Sequence, residues 1–155
     1  DYHSRNLMVI EGSAPGVIDF QDAVMGPITY DLVSLLRDCY IAWPEPQVEA
    51  WALDYAALAQ KARLMEAVSP QRFLGWFDRM GMQRHLKAIG IFSRLNIRDA
   101  KPAYLKDIPR TLNYLRQAAS RYPEYAEFDS WLTQRVIPAM AVSGLFDMHL
   151  LERSD

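Results

Sequence analysis

The chain has 155 residues, half of them hydrophobic, and a formal charge of −2 at pH 7. This composition predicts one domain with one hydrophobic core, and the charge argues against a general nucleic-acid binder. Cys39 is the only cysteine, which excludes an intrachain disulfide and a cysteine-based zinc site. No apolar run approaches the roughly 18 residues of a membrane span, and no signal peptide is visible. We expect a cytoplasmic protein without nucleic-acid or membrane partners.

A β-hairpin is predicted near the start of the chain. Residues 7–10 and 17–20 are apolar runs, and the residues between them (Glu-Gly-Ser-Ala-Pro-Gly) have turn chemistry. A hairpin returns its second strand beside the first, so we expect Asn6 and Asp19, at its two open ends, to lie close together.

The rest of the chain is predicted to be helical, and prolines mark several of the boundaries. Ser69 is the expected N-cap of a helix that has Pro70 in its first turn. The predicted helices cover residues 29–42, 46–64, 70–98 with an interruption near Gly81, 102–121, and a last segment from 123 that Pro138 kinks or ends. The second helix is expected to contribute an apolar surface formed by Val48, Trp51, Leu53, Tyr55 and Leu58. The fold class is therefore mainly α with a small β-hairpin.

The polar residues around the hairpin fit phosphoryl transfer from a nucleotide. That reaction needs a carboxylate to orient the acceptor hydroxyl and two oxygen ligands that hold Mg²⁺ against the phosphates. Asp1 is the candidate base, and Asn6 and Asp19 are the candidate metal ligands. Mg²⁺ prefers a few oxygen ligands together with phosphate and water, so one Asn and one Asp suffice. Kinase-like phosphotransferases supply these three side chains in the same order.

These motifs resemble the aminoglycoside phosphotransferase family of small-molecule kinases. The resemblance is carried by DYHSRNL at 1–7, IDFQDA at 18–23, GP at 26–27 and YDL at 30–32. Residues 83–95 and 106–110 resemble the bacterial branch that phosphorylates N-acetylmuramate and N-acetylglucosamine at the anomeric hydroxyl. The resemblance implies ATP- and Mg²⁺-dependent transfer to a sugar hydroxyl, in the recycling of peptidoglycan precursors.

The resemblance extends over the whole chain but matches only the carboxy-terminal lobe of a protein-kinase-like α+β fold. The glycine-rich phosphate loop, the strand lysine with its helical glutamate, and the adenine hinge belong to the amino-terminal lobe of that fold. We therefore expect residues 1–155 to be one domain that lacks its nucleotide lobe. Alone, it should bind ATP poorly and turn nothing over.

Several further residues near the motifs have two interpretations each. His3 either contacts the transferring phosphate or is a structural loop residue, and Arg5 pairs with a phosphate or with a neighbouring carboxylate. Asp22 adds charge at the metal or substrate, or hydrogen-bonds the loop backbone. Asp31 is by itself a helix N-cap, but the family resemblance implies a buried carboxylate that supports the catalytic loop.

A basic stretch on the third predicted helix has two interpretations as well. Its residues are Arg84, His85, Lys87, Arg94 and Arg98. Such a run is ordinarily a solvated face. Alternatively, Arg84 and His85 border the acceptor pocket, where the lactyl carboxylate of N-acetylmuramate needs a cation.

Other functions remain open at this point. One is a non-catalytic helical regulatory module that kept the fold of a kinase, and another is a hydrolase that uses Asp1, His3 and Asp19 on a metal. The hydrolase would favour further metal ligands at helical spacing, whereas His3, His85 and His149 are scattered. Within the kinase interpretation, the acceptor can also be an aminoglycoside, an amino alcohol or a ketosamine.

Overall fold

The structure is a computed structural model that describes residues 2–21 and 23–151. The predictions made for Asp1 and Asp22 therefore lie outside the described residues. The chain divides into two compact units, the first ending at Met80 and the second beginning at Gly81.

The first unit begins with the hairpin, and the prediction of a hairpin is confirmed. A short 3₁₀ helix, Ser4–Asn6, leads into β1 (Leu7–Met8), which pairs antiparallel with β2 (Gly16–Val17). Leu7 lies opposite Val17, and the N–H of Ile18 donates to the carbonyl of Asn6 at 3.0 Å. The strands are shorter than predicted, and this last hydrogen bond extends the pairing to the residue just before Asp19.

Three helices pack around the core of the first unit: α1 (Thr29–Leu36), α2 (Glu45–Lys61) and the start of α3 (Pro70–Asp99). Its buried cluster is formed by Val33, Leu36, Val48, Ala52, Ala56, Phe73 and Phe77. The predicted cap of α3 is confirmed, because Ser69 Oγ accepts the N–H of Arg72 at 3.3 Å.

The prediction that α1 continues to residue 42 is wrong, because the helix ends at Leu36. The Asp38 carboxylate accepts the backbone N–H of Tyr40 at 3.0 Å. This hydrogen bond replaces the one that the Tyr40 N–H would make to a backbone carbonyl in a continued α-helix.

The prediction for α2 was only partly right about which residues face the core. Val48 is fully buried as expected, and Trp51 and Tyr55 pack against the core while partly buried, but the other buried positions are the small residues Ala52, Ala56 and Ala59. Leu58 is 66% exposed. The alanines let α2 approach its neighbours closely, whereas sequence reasoning gave more weight to large side chains.

The interruption predicted near Gly81 is absent, and α3 runs without a break from Pro70 to Asp99. A glycine inside a helix costs about 0.5–1 kcal/mol relative to alanine. Phe77 and Met82, on either side of Gly81, are both buried. Burying large apolar side chains such as these stabilises by more than that cost.

All the regular secondary structure in the described part of the second unit is helical. After the remainder of α3 it contains these elements: a 3₁₀ helix at Pro102–Asp107, α4 (Ile108–Ser120), a 3₁₀ turn at Pro123–Tyr125, α5 (Ala126–Trp131), a π-helical segment at Leu132–Val136, α6 (Ile137–Ser143) and a 3₁₀ helix at Met148–Leu151. The buried side chains of α4 include Leu112, Tyr114 and Leu115. Gly144 ends α6 in the left-handed conformation, with φ of 65°.

The disturbance predicted at Pro138 takes the form of the π-helical segment. A proline has no N–H, and its ring clashes with the carbonyl four residues earlier in an α-helix. Just before Pro138 the chain widens, and the N–H of Ile137 reaches the carbonyl of Leu132, five residues back. The helix therefore continues past the proline rather than ending there.

The predicted fold class is confirmed, since the described chain is mainly α with one small antiparallel hairpin. Within residues 2–21 and 23–151, every helix is too short or too polar to cross a membrane.

The buried face of α2 gives a test of the fold. We expect Ala52→Leu to lower the free energy of unfolding by about 1–3 kcal/mol, because Ala52 is fully buried and the core has no room for the larger side chain. The control Leu58→Ala should change it by less than about 0.5 kcal/mol, since this leucine is mostly exposed. Urea unfolding of both variants measures the difference, and equal effects would contradict the assigned face.

Candidate active site

Asn6 and Asp19 meet at the open end of the hairpin. The Asn6 side-chain amide Nδ2 lies 3.5 Å from Asp19 Oδ2, although thirteen residues separate the two along the chain. Asn6 is 8% exposed, and its backbone N–H donates to the carbonyl of His3 at 2.9 Å. The pairing of the strands therefore brings these two predicted site residues together.

Asp19 has an unusual backbone conformation. Its φ is 60°, in the left-handed region that aspartate visits more readily than most residues. Gln21 Nε2 donates to Asp19 Oδ1 at 2.8 Å, so the carboxylate is oriented from a second side. Residues held in sparsely populated conformations cluster at functional sites. The orienting contact of Gln21 was not predicted.

The pair fits a hard divalent cation. Asp19 offers a carboxylate oxygen, and a half-turn of the Asn6 amide would present its carbonyl oxygen in place of the nitrogen that now faces Asp19. Among the described residues, no group of three or more His, Cys, Asp or Glu side chains could hold a metal ion. With Asn6 and Asp19 as its protein ligands, a cation would have most of its coordination sites left for water or phosphate, as Mg²⁺ prefers.

A buried carboxylate, that of Asp38, supports the loop that carries Asn6. Asp38 is 1% exposed, and its Oδ2 accepts the backbone N–H of Ser4 at 2.9 Å while its Oδ1 accepts that of Tyr40 at 3.0 Å. Asp31 is exposed in the first turn of α1, so the burial predicted for it is wrong. The seven residues from Asp31 to Asp38 are about two helical turns, and the helix ends between them.

Tyr40 contacts the same loop through His3 and Arg5. The imidazole of His3 meets the Tyr40 ring edge-on, with the ring centroids 5.6 Å apart. The Arg5 guanidinium carbon lies 3.5 Å from the centroid of that ring, within cation–π distance. Both residues predicted to contact phosphate are therefore held against one aromatic side chain.

Arg37 connects this support to the helices of the first unit. Its guanidinium pairs with Asp78 of α3 at 2.7 Å and with Glu45 of α2 at 2.5 Å, and its carbon lies 4.6 Å from the centroid of the Phe77 ring. Arg37 and Asp78 are both buried. Because Asp38 follows Arg37 directly, these ion pairs also fix the backbone that presents the Asp38 carboxylate.

Arg84 and His85 do not lie on an open surface. Arg84 is 6% exposed, and His85 is fully buried with its ring stacked on Tyr114, the centroids 5.2 Å apart. A sugar arriving from solvent cannot reach a buried imidazole, so this burial argues against the predicted substrate contact. The solvated interpretation also fails for these two residues, while Lys87, Arg94 and Arg98 are exposed.

The phosphotransferase enzyme family matches residues 1–70, the part of the chain that contains the hairpin, α1 and α2. The match includes Asn6, Asp19 and Asp38. This match confirms the resemblance to the family that was predicted from the sequence motifs.

Several curated relatives are named N-acetylmuramate/N-acetylglucosamine kinase. The protein of Neisseria meningitidis is 49% identical over 136 residues, which are 88% of this chain and 40% of the relative. The protein of Pseudomonas putida is 46% identical, over 86% of this chain and 39% of the relative. That of Pseudomonas aeruginosa is 49% identical, over 85% and 39%. The chain thus spans about 40% of the length of the relatives it matches.

The Asp38 contacts lead to a stability prediction. We expect Asp38→Ala to lower the free energy of unfolding by about 1–3 kcal/mol, because the N–H groups of Ser4 and Tyr40 lose their acceptor. Urea unfolding gives the energy, and the amide proton shifts of Ser4 and Tyr40 report the loss of the carboxylate. Asp54→Ala, at an exposed position of α2, is the control, and an Asp38 variant as stable as this control would refute the assigned support.

Proposed function

We propose that this chain is the carboxy-terminal lobe of an ATP-dependent sugar kinase. The reaction moves the γ-phosphoryl group of ATP to a sugar hydroxyl, with the anomeric hydroxyl of N-acetylmuramate or N-acetylglucosamine as the acceptor. The observation that carries this proposal is the approach of Asn6 to Asp19 at 3.5 Å, since these two side chains could hold the metal ion that phosphoryl transfer uses to neutralise charge.

The proposed roles follow from the chemistry of each group. Asp1 orients the acceptor hydroxyl and receives its proton, which keeps the nucleophilic oxygen directed at the phosphorus. Asn6 and Asp19 would hold Mg²⁺, which would supply positive charge where the transferred group develops negative charge. His3 donates a hydrogen bond to that group, and its place beside Tyr40 would limit how far the imidazole can move.

The choice of acceptor rests on the relatives. The relatives from Neisseria meningitidis, Pseudomonas putida and Pseudomonas aeruginosa are all named N-acetylmuramate/N-acetylglucosamine kinase, and their identity of 46–49% extends over most of this chain. An aminoglycoside, an amino alcohol or a ketosamine uses the same phosphoryl chemistry, so the metal pair cannot distinguish them from an amino sugar. We assign the reaction to the recycling of peptidoglycan precursors in the cytoplasm, where ATP is available.

An exposed apolar surface around the hairpin supports the idea that another lobe covers it. Eight large hydrophobic side chains lie at least 41% exposed within a short segment: Met8, Val9, Ile10, Val17, Ile18, Phe20, Val24 and Met25. Exposed apolar groups of this extent ordinarily mark an interaction surface. In the proposed enzyme, the lobe that binds the nucleotide packs on this surface. Residues 1–155 alone should therefore bind ATP poorly and be inactive.

A panel of acceptors tests the proposed function. The complete protein is incubated with radiolabelled ATP, Mg²⁺ and, separately, N-acetylmuramate, N-acetylglucosamine, an aminoglycoside, an amino alcohol or a ketosamine. We expect label to appear only on the two amino sugars, as alkali-stable but acid-labile anomeric phosphates. Transfer to an aminoglycoside and to neither amino sugar would contradict the proposed acceptor but would still agree with a phosphotransferase.

Substitutions at the metal pair and the base test the roles. In the complete protein, Asp19→Ala should abolish transfer, because Asn6 alone cannot hold the cation, and Asp1→Asn should lower kcat by at least about 100-fold. Initial rates at saturating Mg²⁺ measure both, and the exposed Asp54→Asn serves as the control. Near-normal turnover by either variant would remove that residue from the mechanism.

A further inference from the structure

Arg5 carries a positive charge just before the first strand of the hairpin. Arg5 is exposed, and within residues 2–21 and 23–151 the structure has no ion pair between Arg5 and a carboxylate. The Arg5 guanidinium carbon lies instead over an uncharged group, the Tyr40 ring, 3.5 Å from its centroid. An arginine stacked on an aromatic ring keeps its N–H groups available at the edge of the guanidinium plane.

The Arg5 guanidinium is positioned by the Tyr40 ring. Tyr40 is itself held by the hydrogen bond from its N–H to Asp38 and by the ring of His3. Arg5 is the residue immediately before Asn6, so their Cα atoms are about 3.8 Å apart. Arg5 therefore directly precedes the proposed metal ligand in the chain, and its guanidinium lies on the Tyr40 ring.

The two acceptors of the proposed function differ in a group that such a cation recognises. N-acetylmuramate is N-acetylglucosamine with a lactyl ether, which adds one carboxylate. A guanidinium binds a carboxylate through two parallel hydrogen bonds, a match that lysine and histidine cannot make. Arg84 and His85, the cations predicted for this task from the sequence, are buried and therefore cannot serve it.

We propose that Arg5 binds the carboxylate of the acidic sugar and that Tyr40 positions Arg5 for this contact. This inference rests on the proposed sugar kinase function and adds to it the residue that distinguishes the acidic from the neutral acceptor. The phosphates of ATP are a second source of negative charge for Arg5. They are common to both reactions, so a phosphate contact would affect the two sugars equally.

The experiment compares the two sugars in the complete protein. For Arg5→Gln, we expect kcat/KM for N-acetylmuramate to fall at least tenfold through a higher KM, while the value for N-acetylglucosamine stays within twofold. Arg5→Lys should keep the charge but lose the paired hydrogen bonds, and so give an intermediate ratio. The matched control is Arg72→Gln in α3, because Arg72 is also exposed and stacked on an aromatic ring, Trp76 at 5.3 Å.

Tyr40 gives an independent test of the positioning. Tyr40→Leu removes the ring and, like Arg5→Gln, should lower the preference for the acidic sugar. Tyr40→Phe keeps the ring and should keep that preference near the value of the unsubstituted protein. Isothermal titration of N-acetylmuramate into each variant, without ATP, should give the same order of affinities.

The possible results separate this inference from the function on which it rests. An equal loss for both sugars in Arg5→Gln would identify a phosphate contact or a loop support, and it would overturn the inference alone. An unchanged ratio of kcat/KM would overturn it as well. If the unsubstituted protein phosphorylated neither sugar, the proposed function would fail and the inference with it.

Discussion

The register of the hairpin is the constraint on which the candidate active site depends. Because Leu7 lies opposite Val17 and the Ile18 N–H reaches the Asn6 carbonyl, Asn6 and Asp19 must emerge at the same end of the two strands. A shift of one residue would turn every side chain of one strand to the other face. Strands this short carry little energy of their own, so the register has to be held by the loop residues around them.

Asp38 and Tyr40 supply that support from outside the hairpin. The Asp38 carboxylate accepts one backbone N–H from the loop before β1, that of Ser4, and one from the segment after α1, that of Tyr40. The Tyr40 ring contacts His3 and Arg5 on the same loop. The loop therefore does not depend on its own hydrogen bonds alone. A metal site needs its ligands held within a fraction of an ångström, and supporting contacts of this kind provide such precision.

The sequence predicted what depends on local pattern and missed what depends on distant partners. Asn6 and Asp19 could be paired because a turn between two apolar runs dictates where they meet. The supporting role of Asp38 could not be predicted from the sequence. Nothing in the residues around it indicates that its carboxylate accepts a hydrogen bond from a loop 34 residues earlier. Arg84 and His85 were misplaced for a related reason. A charged run predicts a solvated face, and only the tertiary packing buries it.

The buried ion pairs of Arg37 extend the same reasoning into the helical core. Arg37 pairs with Asp78 and Glu45, although apolar residues of similar volume often stabilise a core at least as well as buried charges. The charges add a specific geometry, because a guanidinium paired with two carboxylates can form its hydrogen bonds in only a few orientations. This geometry fixes the end of α1 relative to the start of α2. It therefore also fixes the backbone from which Asp38 and Tyr40 contact the loop before β1. The position of Asn6 is thus determined through contacts that begin at Asp78, a residue with no part in the proposed chemistry.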